Sequence, residues 1–176
     1  MCDTQEKLEE AKYFLHQMES DLINISHFKF NLSAFLSAAR SVTFIMQNEF
    51  SKMKGFSDWY GSQQKKFEKD PLMKMMNEKR RISIHRVPIR PRKETHVTHH
   101  NQVTLTDSLT AFVLHADGSA EIRQSEPKQT EKIDKIDPEV KHLWYFDDFD
   151  SEDVITLCTE YLDLLKNIVS ECQSKF

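Results

Sequence analysis

The sequence predicts a mainly α-helical protein, a bundle of four to five helices with a small antiparallel β insertion at about residues 95–124. Three Gly and five Pro in 176 residues are typical of long helices and few tight turns. Apolar residues recur at three- and four-residue steps up to residue 86 and again after residue 151. Between them lie stretches rich in β-branched residues, with Asp117-Gly118 as a predicted hairpin turn.

Four helices are predicted before the insertion, over residues 4–24, 26–53, 58–69 and 70–86. Thr4 or Asp3 is the predicted cap of the first helix, and Ser57 that of the third. The second helix is the most apolar, so we expect it to be central and largely buried. Arg40 is its exception, and a buried Arg40 needs an acidic or carbonyl partner. The apolar residues of this helix are Phe28, Leu32, Phe35, Leu36, Ala39, Val42, Phe44, Ile45, Met46 and Phe50.

The fourth helix has a clear start and stop. Asp70 is placed to cap it, and Pro71 occupies the first helical position, where a missing N–H costs nothing. Pro88 must end it. Its predicted apolar stripe consists of Leu72, Met75, Met76, the stem of Lys79 and Ile82.

Beyond residue 94 the pattern becomes extended, over residues 95–103, 108–114 and 119–123. Residues 125–137 are polar and predict a loop. Aromatic residues in 142–149 are expected to pack back on the bundle, and Ser151 is the predicted cap of a last helix that ends near Cys172. We therefore predict one domain, 1–176, with a helical bundle (1–87 and 138–176), a β-arm (95–124) and a loop (125–137).

The net charge of −4 conceals a basic segment, defined here as residues 71–93. It holds eight basic residues against Glu78 alone, a net charge of +7. Such an island in a mildly acidic protein predicts an anionic partner for that segment. The basic residues are Lys74, Lys79, Arg80, Arg81, Arg86, Arg90, Arg92 and Lys93.

Other sequence features exclude several classes of protein. Cys2, Cys158 and Cys172 have no metal-type spacing and predict reduced thiols in a cytoplasmic protein. No run of residues predicts a signal peptide or a membrane span. On a strand, His96 and His100 share a face while His99 points away, which does not favour a metal site. Phosphate-loop and dinucleotide signatures are absent, so we expect no metal and no cofactor.

Arg80 and His85 carry the chemistry at the end of the fourth helix. They lie five positions apart, so they converge on one anion if the last turn unwinds near Ser83 and Ile84. A guanidinium grips a phosphate with forked hydrogen bonds, and an imidazole moves a proton near neutral pH. Together they can cleave RNA without a metal. The 2′-hydroxyl attacks the adjacent phosphate, one group shuttles the proton, and the Arg stabilises the developing charge.

Residues 80–85 read Arg-Arg-Ile-Ser-Ile-His, which resembles the Arg-x(4–6)-His motif of the HEPN superfamily (higher eukaryotes and prokaryotes nucleotide-binding). The resemblance implies a helical bundle, commonly a homodimer, in which two copies of the motif face each other. Many members are metal-independent endoribonucleases of toxin–antitoxin or anti-phage systems. It further implies Arg80 and His85 as the catalytic pair, RNA as the substrate, and an antitoxin or other protein as a possible partner.

One position departs from the family pattern. The residue after the motif Arg is usually Asn, Asp or His, whereas this chain has Arg81, which leaves Asn77 and Glu78 as candidate supporting groups. The resemblance covers the helical part only. RNA binding along the basic segment would weaken steeply with salt. The residues expected to follow the phosphate backbone are Lys79, Arg81, Arg86, Arg90 and Arg92.

Other interpretations remain open on the sequence alone. Arg80 can pair with an acid of the last helix, while His85 interacts favourably with the helix C-terminus. The chain is then a non-catalytic bundle, a protein- or RNA-binding or regulatory subunit whose basic segment meets an acidic partner or the acidic C-terminal half. A further alternative is a structural subunit whose β-arm pairs with the edge of another chain.

Overall fold

The structure is a computed structural model that describes residues 2–98, 101–102, 110–115, 118–124, 134–135, 137–147, 149 and 151–176. Within these ranges the chain is mainly helical with small two-stranded sheets, which confirms the predicted fold class. The described helices are α1 (Asp3–Ser20), α2 (Ile25–Phe50), α3 (Phe56–Phe67), α4 (Pro71–His85) and α5 (Val154–Lys175). The described strands are β1 (Arg92–Thr98), β2 (Asn101–Gln102), β3 (Thr110–Leu114), β4 (Ala120–Gln124), β5 (Asp134–Lys135) and β6 (Glu139–Tyr145).

The chain divides into two compact units, Met1–Thr95 with His142–Phe176, and His96–Lys141. In the second unit β3 pairs antiparallel with β4, and Thr110 lies opposite Gln124. Gly118 has a φ of +87°, which glycine adopts without the strain a side chain would cause. Asp117, the other half of the predicted turn, lies outside the described residues, as do residues 103–109 and most of the predicted loop 125–137.

The core of the first unit is built around α2, as predicted. Because apolar residues surround most of this helix, it is buried against α1, α4 and α5. Phe44 was expected in this core but is 45% exposed, and the Arg40 guanidinium lies 4.2 Å from the centre of its ring. The buried apolar residues of α2 are Phe28, Leu32, Phe35, Leu36, Ala38, Ala39, Val42, Met46 and Phe50.

The start of α1 is tied to the end of α2 by a buried threonine. The predicted caps Thr4 and Asp3 both lie inside the helix, whose cap position is Cys2. Thr4 instead donates to a Glu49 carboxylate oxygen from its backbone N–H, at 3.0 Å, and from its hydroxyl, at 2.6 Å. Burial raises the pKa of Glu49, but these hydrogen bonds outweigh it and hold that pKa below its ordinary value of 4.5.

The third helix is anchored to α5 by one carboxylate. Its cap position is Gly55, with a φ of +86°, so the prediction that Ser57 caps it was wrong. The predicted inner residues Trp59 and Gln63 are buried. They donate to Glu171 of α5, at 2.7 Å from the indole nitrogen and 3.1 Å from the amide.

The segment before α5 packs on the bundle, as the aromatic pattern predicted, but as strand β6, which pairs with β1. Trp144 is fully buried, and its ring stacks on Phe28 with centroids 4.1 Å apart. Asp153 caps α5 by accepting from the N–H groups of Ile155 and Thr156. It also accepts from Trp144 N–H, so this second role favours Asp153 over the predicted cap Ser151.

We predict that Glu49→Gln lowers the free energy of unfolding by about 1 kcal/mol near neutral pH, because a charged acceptor for Thr4 is lost. The pKa of Glu49 is lowered in the folded state, so its stabilisation is present at neutral pH and fades as the pH falls below 4.5. Urea denaturation at neutral and acidic pH measures this. Glu9→Gln, at an exposed position of α1, is the control, and an equal loss at both pH values would contradict the assignment.

We predict that one of the three thiols reacts readily in the native protein. Burial raises the pKa of Cys158 well above its ordinary value and that of Cys172 to about 11, so both remain protonated and shielded. Cys2 is half-buried. Titration with a disulfide reagent near neutral pH should label Cys2 first and the other two only with denaturant. Rapid labelling that survives Cys2→Ser would show that α5 opens in the native state.

Candidate functional site: the C-terminal end of α4

The last turn of α4 is held in a regular helix. Asp70 caps the start as predicted, accepting from Met73 N–H at 3.0 Å, and the helix then runs unbroken to His85. The Ser83 hydroxyl lies 2.8 Å from the Ser33 hydroxyl of α2. The N–H groups of Arg86 and residue 87 both donate to the Ile82 carbonyl. The unwinding near Ser83 on which convergence of Arg80 and His85 depends is therefore not present.

Arg80 and His85 consequently lie on different faces of one helix. Five residues of α-helix separate two side chains by about 140° around the axis and about 7.5 Å along it. Arg80 is half-buried, whereas His85 is exposed. A single copy of the chain does not bring the two groups onto one phosphate.

The Arg80 guanidinium has no acidic partner among the described residues. Its Nε is buried and makes no hydrogen bond. Burial raises the pKa of Tyr161 on α5 to about 12, and the positive charges of Arg40 and Arg80 act against that rise. Both guanidinium groups are thus close enough to act on the Tyr161 hydroxyl. The expectation that Arg80 pairs with an acid of the last helix is not met within the described part of the chain.

The residues flanking Arg80 have different environments. Arg81 forms a forked pair with Glu78, both nitrogen–oxygen distances being 2.8 Å, and these hydrogen bonds lower the pKa of Glu78. Lys79 is buried as its place in the stripe predicted, with its ammonium 4.6 Å from the centre of the Phe146 ring. Of the predicted RNA-binding residues, Lys79 therefore lies off the exposed surface, and Arg81 is exposed but paired.

The remaining predicted residues lie within α4 or just after it. Asn77 is exposed in the middle of the helix, and Arg86 and Arg90 are exposed beyond its end. Arg92 pairs with Glu94 at 2.9 Å and lies 5.7 Å from the centre of the Tyr145 ring. His85 makes no hydrogen bond or ion pair with the described residues. Exposed Arg86, Arg90 and His85 form what we call the basic end of α4, a surface suited to a polyanion.

A polar cavity beside α4 was missed by the sequence reasoning. It has a volume of about 310 Å³ and is lined by residues of α2, α3, α4 and α5. The unpaired charge of Arg40 on an apolar helix was the only sequence signal for it. Among the described residues, no group of three His, Cys, Asp or Glu side chains is placed to hold a metal ion. No helix within them is both long and apolar enough to cross a membrane.

The fold and the site together define an α-helical bundle protein with a basic helix end. Residues 1–86, just under half of the chain, match the family model described as Bacteriophage lambda protein ea47. The match spans α1 to α4 and includes both Arg80 and His85. No curated protein and no solved structure matches the chain.

We predict that Arg80→Met changes the free energy of unfolding by less than about 1 kcal/mol, because it removes a half-buried charge that has no carboxylate partner. Met76→Ala, one turn earlier and 1% exposed, should cost about 2–5 kcal/mol through the cavity it leaves. Urea denaturation of both variants measures the contrast. A loss of several kcal/mol in Arg80→Met would show that Arg80 is a structural residue.

Proposed function

We propose that the protein is a HEPN-like, metal-independent endoribonuclease that cuts RNA with Arg80 and His85. The proposal rests on the free Arg80 and His85 side chains. Neither has a hydrogen-bond or ion-pair partner in the described part of the chain, and both lie within the basic segment, residues 71–93, whose net charge is +7. Arg86 and Arg90 would bind the phosphates on either side of the cut.

The helix geometry favours a site made by two copies of the chain. In a symmetric dimer, Arg80 of one copy can meet His85 of the other at one phosphate. His85 would take the proton of the 2′-hydroxyl as that oxygen attacks phosphorus, and Arg80 would stabilise the charge on the phosphoryl oxygens. The bond from phosphorus to the 5′-oxygen breaks and that oxygen gains a proton, leaving a 2′,3′-cyclic phosphate and a 5′-hydroxyl.

Two findings bear on the biological role and the cellular location that we propose. The match to the phage lambda ea47 family covers residues 1–86, which include Arg80 and His85. A toxin or anti-phage role for these two residues is part of the proposal. The three cysteines are free, which fits a cytoplasmic location. An antitoxin or similar protein partner would bind the basic end of α4 and cover it.

A second candidate is a non-catalytic RNA- or protein-binding subunit. The regular helix through His85 favours it, because binding needs only an exposed basic surface and not two converging groups. In this alternative, Arg86 and Arg90 hold an anionic partner and affinity falls steeply with salt. Dimerisation is not required, so the two candidates differ in a measurable property.

We predict that the wild-type chain cleaves total and transfer RNA in the presence of EDTA, and that Arg80→Ala and His85→Ala each abolish cleavage. A mixture of the two variants should recover about one quarter of the activity, because half of the dimers are mixed and each has one intact site. The 2′,3′-cyclic phosphate end of the product confirms the reaction. His16→Ala, at an exposed histidine of α1, is the control and should cleave normally.

The outcomes separate the two candidates. RNA that is shifted in a salt-sensitive way but never cut would support the binding subunit. Activity in the separate variants, or no recovery on mixing when circular dichroism shows both folded, would contradict the two-copy site. A chain that neither cuts nor binds RNA would overturn both forms of RNA function.

A further inference from the structure

The polar cavity of the bundle has a lining suited to binding a small ligand. Its lining comes from α2 (Arg40), α3, the residue that follows α3 (Glu68), α4 and α5. Phe67 and Met73 supply apolar surface, while most of the other lining residues are polar. Its volume of about 310 Å³ is at the lower end of small-molecule sites. The full lining is Arg40, Tyr60, Gln64, Phe67, Glu68, Met73, Lys74, Asn77 and Tyr161.

The charges of the cavity are unbalanced in favour of cations. Arg40 and Lys74 line it against Glu68 alone. Arg40 uses one of its five N–H donors within the described residues, from Nη1 to the Thr43 hydroxyl at 2.7 Å. It meets no carboxylate there. The acidic or carbonyl partner was expected only for a buried Arg40, and this side chain is half-buried. A half-buried guanidinium without a counter-ion is unfavourable, so the binding of an anion beside Arg40 is favoured.

Neutral donors add to the preference for an oxyanion. Tyr161 is 3% exposed, lines the cavity, and makes no hydrogen bond with the described residues. Tyr60 accepts from the Gln47 amide at 3.0 Å, which leaves its own O–H free to donate. The pKa of Tyr161, raised to about 12 by burial, keeps this hydroxyl protonated at neutral pH. Both phenols line the same cavity as Arg40, and each has an O–H group available to an anion bound there.

We propose that this cavity binds a phosphate group, as free phosphate or as the phosphomonoester of a small organic molecule. Arg40 and Lys74 neutralise the phosphate, and the hydroxyls of Tyr161 and Tyr60 hydrogen-bond its oxygens. At about 30 Å³ for each water, the cavity has room for roughly ten waters, or for a phosphate with a few carbon atoms against Phe67 and Met73. This cavity is distinct from the basic end of α4, because none of His85, Arg86 and Arg90 lines it.

The test is calorimetric titration of the full chain with inorganic phosphate and, separately, with glycerol phosphate, near neutral pH. We expect binding of at least one of them. Arg40→Gln and Lys74→Gln should each weaken it about tenfold, because each removes a charged donor. Tyr161→Phe, which keeps the ring packed, should weaken binding about fivefold. The stronger of the two probes identifies the source of the phosphate.

Two control variants locate the binding. Lys65→Gln changes an exposed lysine of α3 outside the cavity and should bind as the wild type does. Arg86→Gln tests the alternative location, because the basic end of α4 can also attract phosphate. Binding that falls in Arg86→Gln but not in Lys74→Gln would put the phosphate on the basic end of α4 and overturn the proposal. So would no binding of either probe at millimolar concentration. Lys74→Gln and Tyr161→Phe keep the test decisive if Arg40→Gln unfolds.

Discussion

The apolar surface of α2 is the constraint on which the rest of the bundle depends. It is buried from Phe28 to Phe50, and α1, α4 and α5 all contact it. Full burial of one large apolar side chain contributes about 1.5–3 kcal/mol, so the helix positions that cover this surface are strongly favoured. The stack of Trp144 on Phe28 adds β6 to the same core. The places of α1, α4, α5 and β6 follow from covering α2, whereas α3 is held through Glu171 of α5.

Covering α2 also decides which way the end of α4 faces. Met76 and Lys79 are buried, and the contact between Ser83 and Ser33 holds the last turn in place. Arg80 is then half-buried and His85 is exposed to solvent. Once one face of the helix is buried, the helix period fixes the angle between the two side chains around the axis. A catalytic role for the pair therefore calls for a second copy, whereas a binding role does not.

The cations near the core are accommodated in different ways. Lys79 lies against the ring of Phe146, and Arg81 forms a forked ion pair with Glu78 at the surface. Arg40 and Arg80 have no carboxylate among the described residues, and both act on Tyr161. Since desolvating a charge is costly without a counter-ion, these two guanidinium groups mark the part of the bundle suited to anions. The groups that we propose to bind anions therefore lie where α2, α4 and α5 pack together.

The sequence by itself determined the helices, the central place of α2, the Asp70-Pro71 start of α4 and the buried stem of Lys79, because helix period and capping are local properties. It also located the basic segment. The tertiary structure decided that Asp153 and not Ser151 caps α5, since Trp144 supplies a second hydrogen bond, and that residues 139–145 pair as a strand with β1. It alone decided that the last turn of α4 stays helical where Ser83 meets Ser33, which keeps Arg80 and His85 apart, and that Arg40 lies beside Tyr161. Both outcomes depend on packing between residues distant in the chain.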